Sequence, residues 1–182
     1  MRDVADETEE MLKRAQAGDQ AAFGWIVGSY QAMVYSGVLA FFRNRNWAED
    51  IAQDVFVDLY RSLRTIESAE HLRAWLRRNS LNRCIDRSRK KAFQSELPAG
   101  EMPEKGREDA HNDFLAVDHL RRQVARLPEE QRAIVILRYQ EDMSPTEIAG
   151  VLDLPVNTVK SRLHRALASL RNRLELKRGL FA

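Results

Sequence analysis

The sequence predicts an all-α fold, two small helical domains joined by a flexible linker. Apolar residues recur three or four positions apart through most of the 182 residues, the spacing of helices that bury one face. No segment alternates apolar and polar residues in the manner of a half-buried strand. Residues 92–112, AFQSELPAGEMPEKGREDAHN, break the pattern, with two prolines, two glycines and no apolar periodicity. Residues 1–8 are therefore expected to be disordered, 9–91 and 113–178 to form the two domains, and 92–112 to tether them.

Each element has its own signal. Thr8 suits the cap of a helix through Ala17, which Gly18-Asp19 would end. From Gln20 to Phe42, Phe23, Ile26, Val27, Tyr30, Val34 and Leu39 fall at helical spacing, and RNRN at 43–46 interrupts them. Trp47 to Leu63 carries Ile51, Val55, Phe56, Leu59, Tyr60 and Leu63 as an apolar face. After a loop at 65–70, a helix from about His71 to Lys91 turns Leu72, Trp75, Leu76, Leu81 and Ile85 inward, with Cys84 a small buried or half-buried filler. Beyond the linker lie a helix around 113–126, a Leu127-Pro128 break, a helix at 129–140 and a close helix pair.

That pair, MSPTEIAGVLDLPVNTVKSRLHRALASLR at 143–171, has the helix-turn-helix pattern. Ile148, Ala149 and Leu152 line its first helix, and Val159, Leu163, Ala166, Leu167 and Leu170 line its second. Asn157, Thr158, Ser161, His164 and Arg165 are left on the outer face, with Lys160 and Arg162 beside them. Such a helix can lie in the DNA major groove. Asn157 suits adenine, Arg165 suits guanine, and Ser161 or Thr158 suits either bases or phosphates. A solvated last helix of a bundle would carry the same pattern. Asp153 falls in the turn, and aspartate tolerates left-handed backbone better than most residues. Pro155 suits a first helical turn but offers no capping oxygen.

Charge distribution favours DNA. The formal net charge is only +2, yet residues 61–91 hold ten basic and three acidic side chains, and 156–182 hold seven and one. Residues 1–60 and 92–155 are acidic by comparison, with five basic against ten acidic and seven against thirteen. Two separated basic blocks in a near-neutral chain suit two contacts with a polyanion.

Several classes lack their residues. The single cysteine, Cys84, permits no internal disulfide. His71, His111, His119 and His164 are scattered without metal-ligand spacing, and no glycine loop or nucleophile–base pair stands out. No catalytic residue, metal or cofactor is expected. No apolar run approaches the roughly 18–20 residues of a membrane span, and the acidic start MRDVADETEE is unlike a signal peptide. The cytoplasm is the expected compartment, with no direct membrane insertion.

Four motifs in order carry a resemblance: WAEDIAQDVFVDLYRSL at 47–63, HLRAWLRRNSLNRCIDRSRKK at 71–91, LPEEQRAIVILRY at 127–139 and PTEIAGVLDLPVNTVKSRLHRAL at 145–167. Together they resemble the bacterial RNA polymerase sigma factors of the extracytoplasmic-function type, in the sigma-70 family. The resemblance covers about residues 9–178 and implies a promoter-specificity subunit rather than an enzyme. Residues 9–91 would correspond to sigma region 2 and 113–178 to region 4.

The resemblance also implies roles for individual positions. Glu49, Asp50, Gln53 and Asp54 would dock on the clamp helices of the polymerase's largest subunit, with Phe56 as a partly exposed anchor. The loop with Glu67, Ser68, Ala69 and His71 would capture a flipped base of the −10 element. Asn82 and Arg83 would lie against the non-template strand, and Arg77, Arg87, Arg89 and Lys90 would supply cations. Asn157, Thr158, Lys160, Ser161, Arg162, His164 and Arg165 would contact the −35 duplex. Residues 127–139 would receive the flap of the second-largest subunit. An anti-sigma factor, often held in a membrane, would be a further partner. The rival reading is an ordinary DNA-binding regulator with residues 8–91 as a sensor or dimerisation domain.

Overall fold

The computed structural model describes residues 4–94 and 112–178. Among them every regular element is helical. The helices are α1 (Val4–Gln16), α2 (Gln20–Phe42), α3 (Arg45–Ser62), α4 (Ala69–Gln94), α5 (Asn112–Ala125), α6 (Glu129–Tyr139), α7 (Pro145–Leu152) and α8 (Val156–Arg178), with a 3-10 turn at Leu63–Thr65. The chain divides into two compact units. One takes residues up to 84 except 40–44, and the other takes 40–44 and the residues from 85 onward. Residues 95–111, most of the expected linker, lie outside the described residues.

Residues 4–8, expected to be disordered, are the opening turns of α1. Thr8 is consequently no cap. It is buried inside the helix, with Oγ1 3.2 Å from the Tyr30 hydroxyl. A threonine hydroxyl can satisfy either a helix end or a buried partner, and local sequence does not separate the two. The other end of α1 follows expectation: Gly18 takes φ +99 and Asp19 N–H donates to Arg14 O.

Asp19 then caps α2, its Oδ1 accepting from the amides of Ala21 and Ala22 at 2.9 and 3.1 Å. Its Oδ2 accepts from Arg14 Nε and Nη2. The Arg14 bond, then the Ala22 amide, hold the carboxyl below its ordinary value of 3.8. A depressed carboxylate stabilises the fold above the unfolded value and loses that contribution as pH falls through the folded one. Asp19→Asn should keep the cap and lose the ion pair, so its acid-unfolding limb below pH 3.8 should be flatter than wild type. Asp19→Ala should also lower Tm at neutral pH; circular-dichroism melts across pH check both.

Ala22, Ile26, Tyr30, Val34 and Val38, four apart, form the buried row of α2. Phe23, Val27 and Leu39, expected among them, are only half-buried. By length and composition the 23 residues of α2 are apolar enough to cross a membrane, contrary to expectation. Scattered Gly, Ser and Gln interrupt any continuous apolar run but leave the average high, and one row of the helix is buried. In α3, Ile51, Val55, Phe56 and Leu59 are buried. Tyr60 is 59 % exposed, contrary to its expected place in the core. In α4, Leu72, Leu76, Leu81 and Cys84 are buried, whereas Trp75 and Ile85 are half-buried.

In the second unit α8 packs on α6 and α7, and α5 on α6 and α8. Leu127, Val135, Ala166 and Leu170 form a core cluster flanked by Val124 and Leu163. Ser144 and Glu147 make a reciprocal capping box at the start of α7, with Pro145 in the first turn. The turn into α8 follows expectation: Asp153 adopts φ 54 and ψ 50, the left-handed region. Leu154 N–H donates to Ala149 O, closing the end of α7. Pro155 precedes α8 and its carbonyl accepts from Thr158 and Val159. Leu167 is 36 % exposed rather than buried, and Val151 is buried where Leu152 was expected.

Candidate nucleic-acid and protein interfaces

The buried stripe of α8 determines which residues it offers to a partner. Val159, Ala166 and Leu170 face inward, leaving Asn157, Lys160, Ser161, His164 and Arg165 exposed on one side. Arg165 Nε donates to Ser161 O at 3.3 Å, and Ser161 Oγ donates to Thr158 O. Thr158 is half-buried at the margin. Arg162 turns elsewhere: its Nη2 meets Glu130 Oε2 of α6 at 2.8 Å, with only 24 % of the side chain exposed. Six of the seven expected residues thus share a face or its margin, and Arg162 ties α8 to α6.

The candidate residues of α3 separate into two sets. Glu49, Gln53 and Phe56 line a groove of about 1020 Å³ against α2, completed by Phe23, Val27 and Tyr35 of α2 and by Val57 and Tyr60. Phe56 is only 8 % exposed, not the partly exposed anchor expected. The exposed apolar groups are instead Val57, at 48 %, and Tyr60, whose ring meets Phe23 edge-on at 5.1 Å. Their signal was present but weak: Val57 falls between Gln53 and Arg61 on the polar side of the stripe, where an apolar residue has no core to fill. Asp50 is exposed.

Asp54 belongs to another cluster. Its Oδ2 accepts from Arg83 Nη1 of α4 at 2.8 Å, while Asp58 Oδ2 accepts from Arg83 Nε at 2.8 Å and Nη2 at 2.5 Å. Asn79 Nδ2 approaches Asp58 at 3.5 Å. A residue expected against polymerase and one expected against DNA are therefore each other's partners. Arg83 and Asp58 are partly shielded from water, so a double-mutant cycle on them should give a coupling of about 1 kcal/mol, at the upper end for such pairs. Chemical denaturation of the two single variants and the double variant measures it.

The remaining α4 candidates do not collect on one side. At 100° per residue, His71, Trp75, Arg78, Asn82 and Arg89 share an outer face, and Arg83 lies about 100° from Asn82. Asn82, Arg89 and Lys90 are exposed, and Arg77 and Arg87 half-buried. Trp75, expected in the core, is half-buried on that face between His71 and Asn82. In the preceding loop Glu67 is exposed and Ser68 half-buried, but Ala69 is buried, so its side chain offers no contact. Ser68 Oγ accepts from the His71 amide, and His71 Nδ1 accepts from the Glu67 amide at 3.2 Å.

Among the described residues no group of three or more His, Cys, Asp or Glu could hold a metal ion. Cys84 is buried and forms no disulfide.

Comparison with known proteins follows this division. The family profile "Sigma-70 region 2" matches residues 26–94, and "Sigma-70, region 4" matches 118–170. The ECF RNA polymerase sigma factor SigW of Bacillus subtilis (strain 168) is 31 % identical over 183 aligned residues, spanning 91 % of this chain and 96 % of SigW. The ECF RNA polymerase sigma-E factor of Haemophilus influenzae is 28 % identical, spanning 92 % of this chain and 95 % of that protein. Among solved structures, CnrH in complex with the cytosolic domain of CnrY superposes with a TM-score of 0.70 at 25 % identity, covering 93 % of this chain and 98 % of CnrH. The sigma factor RpoE of Bartonella quintana, in complex with the anti-sigma factor NepR, shares the fold, with a TM-score of 0.68 at 20 % identity over 84 % of this chain and 96 % of RpoE.

Proposed function

Because this chain belongs to the extracytoplasmic-function sigma factors of the sigma-70 family, which direct transcription initiation with RNA polymerase, we propose a division of that work among its surfaces. The exposed face of α8 from Asn157 to Arg165 reads the −35 duplex. The loop before α4, with the outer face of α4, captures the opened −10 strand. The groove between α2 and α3 and the acidic side of α3 dock on the clamp helices of the polymerase's largest subunit, and residues 127–139, with α6, receive the flap of the second-largest. The domains would be residues 9–91 and 113–178, with the intervening chain as the tether.

The observation that carries the reading is the α8 face. It follows a left-handed turn, buries one clean stripe and leaves asparagine, serine, histidine, lysine and arginine outward together. Those donors and acceptors match base edges and phosphates in a major groove. A neutral solvated helix would need no such set.

The cytoplasm, where polymerase and chromosome meet, is the proposed site of action. The CnrH and RpoE structures are complexes with CnrY and with an anti-sigma factor, which supports a protein antagonist for this chain too. An antagonist anchored in the membrane would hold it at the inner face.

Run-off transcription with purified core polymerase and a library of promoter fragments tests the whole reading. Adding this chain should produce transcripts from a subset of templates sharing two sequence elements upstream of their start sites. Failure to stimulate any template, with core binding also absent, would refute it. A stimulated set sharing only the upstream element would remove the −10 assignment while sparing the −35 one.

A further inference from the structure

We infer that α1 is a positioning element for the strand-capturing loop, acting through Gln16 and Glu9; the inference rests on the −10 role proposed for that loop. The family profile of region 2 begins at residue 26, so α1 lies outside the matched segment. Its side chains nevertheless reach the loop at three points. Gln16 Nε2 donates to Leu63 O at 3.0 Å and to Ile66 O at 2.7 Å. Glu9 Oε2 accepts from the Ala69 amide at 2.7 Å.

Those three points have a pattern. Leu63, Ile66 and Ala69 are the buried residues of this stretch, three apart, and each has a backbone group tied to α1. Between them Arg64, Thr65 and Glu67 are exposed and Ser68 is half-buried. Buried side chains hold the anchors down, and the α1 bonds set the direction of the peptide groups on either side. A loop with so few residues between anchors has little freedom left to rearrange. Glu9 has a second effect: a carboxylate on the first-turn amide of α4 complements the positive end of that helix. Its neighbour Ser68 already caps the same end through the His71 amide. Glu9 is thus not needed merely to start α4, and its added bond constrains where α4 begins relative to the loop.

α1 is itself held in place independently of these two side chains. Leu12 and Ala15 are buried, and Thr8 Oγ1 lies 3.2 Å from the Tyr30 hydroxyl, which also accepts from Arg73 Nε. Replacing Gln16 or Glu9 should therefore release the loop without releasing the helix. Gln16→Glu preserves shape while replacing the donor by a carboxylate facing two carbonyls. Glu9→Ala deletes the acceptor, and Glu9→Gln restores one.

The test uses full-length chain assembled with core polymerase. The probe is a single-stranded oligonucleotide bearing the −10 sequence of a promoter selected by the wild-type holoenzyme, with 2-aminopurine at successive base positions. Wild type should show a fluorescence change at the captured base. Gln16→Glu and Glu9→Ala should bind the probe about tenfold more weakly and show a smaller change at saturation. Glu9→Gln should match wild type, core affinity should stay near wild type in all three, and melting temperature should stay near wild type in the two Glu9 variants. If Gln16→Glu does not fold, the Glu9→Ala and Glu9→Gln pair decides through the other tie. Wild-type capture by Glu9→Ala overturns the inference, as does a defect that follows only the unfolded fraction or the loss of core binding. Failure of the wild-type holoenzyme to capture any strand overturns the −10 reading and this inference with it.

Discussion

Val57→Glu combined with Tyr60→Ala should weaken binding to core polymerase by about two orders of magnitude while leaving the helical content unchanged. Both side chains are largely solvent-exposed, so their removal opens no cavity in the first unit. They rim the apolar groove between α2 and α3, where Phe23, Val27, Tyr35 and Phe56 present further apolar surface and Glu49 and Gln53 supply polar edges. An apolar centre with a polar rim is the anatomy of a protein-binding patch. Aromatic groups in such a patch contribute about 2 kcal/mol or more each when truncated, without simple additivity. A carboxylate at position 57 would also be buried unpaired on docking. Competition for core polymerase against a labelled wild-type chain measures the effect, and near-normal affinity would remove this groove from the docking surface. Asp54 variants are less clean probes, because they also remove one of the two carboxylates that hold Arg83.

Arg165→Ala should cost promoter binding about 1–3 kcal/mol and relax preference at one base pair of the −35 element. Its guanidinium is exposed and donates to the Ser161 carbonyl within its own helix, so the loss falls on binding rather than folding. Lys160→Ala should weaken all promoters alike and reduce the salt slope by about 1, the signature of one phosphate contact. Arg162→Ala should instead act on stability, since its partner is Glu130 on α6. Holoenzyme binding to a panel of −35 variants at several salt concentrations separates the three. Equal and sequence-blind losses from Arg165→Ala and Lys160→Ala would make Arg165 a phosphate contact.

Local chemistry made much of this architecture legible in advance. The period of the apolar residues identifies the helices. Gly18 closes α1, and Asp153 occupies the left-handed turn before α8, each through a backbone preference that needs no knowledge of the rest of the chain. Partnerships between distant segments were not legible. Asp54 and Arg83 are 29 positions apart, each reads as an exposed charge by itself, and only packing of α3 beside α4 joins them. The same holds for Gln16, whose two carbonyl partners lie 47 and 50 positions away. Tyr60 fits the apolar stripe of α3 by spacing, yet its ring lies across Phe23 at the surface. A period fixes which side of a helix is apolar, but the width of the buried stripe depends on what covers it.

The double character of α2 has a practical consequence for the isolated protein. One side of the helix is sealed in the core, while the other walls an apolar groove open to solvent. Exposed apolar surface of this kind drives self-association when nothing competes for it. Stocks of free chain should therefore become turbid as concentration rises, and added salt should not clear them because the attraction is not between charges. Mild non-ionic detergent, or co-purification with whichever protein occupies the groove, should keep the chain dispersed.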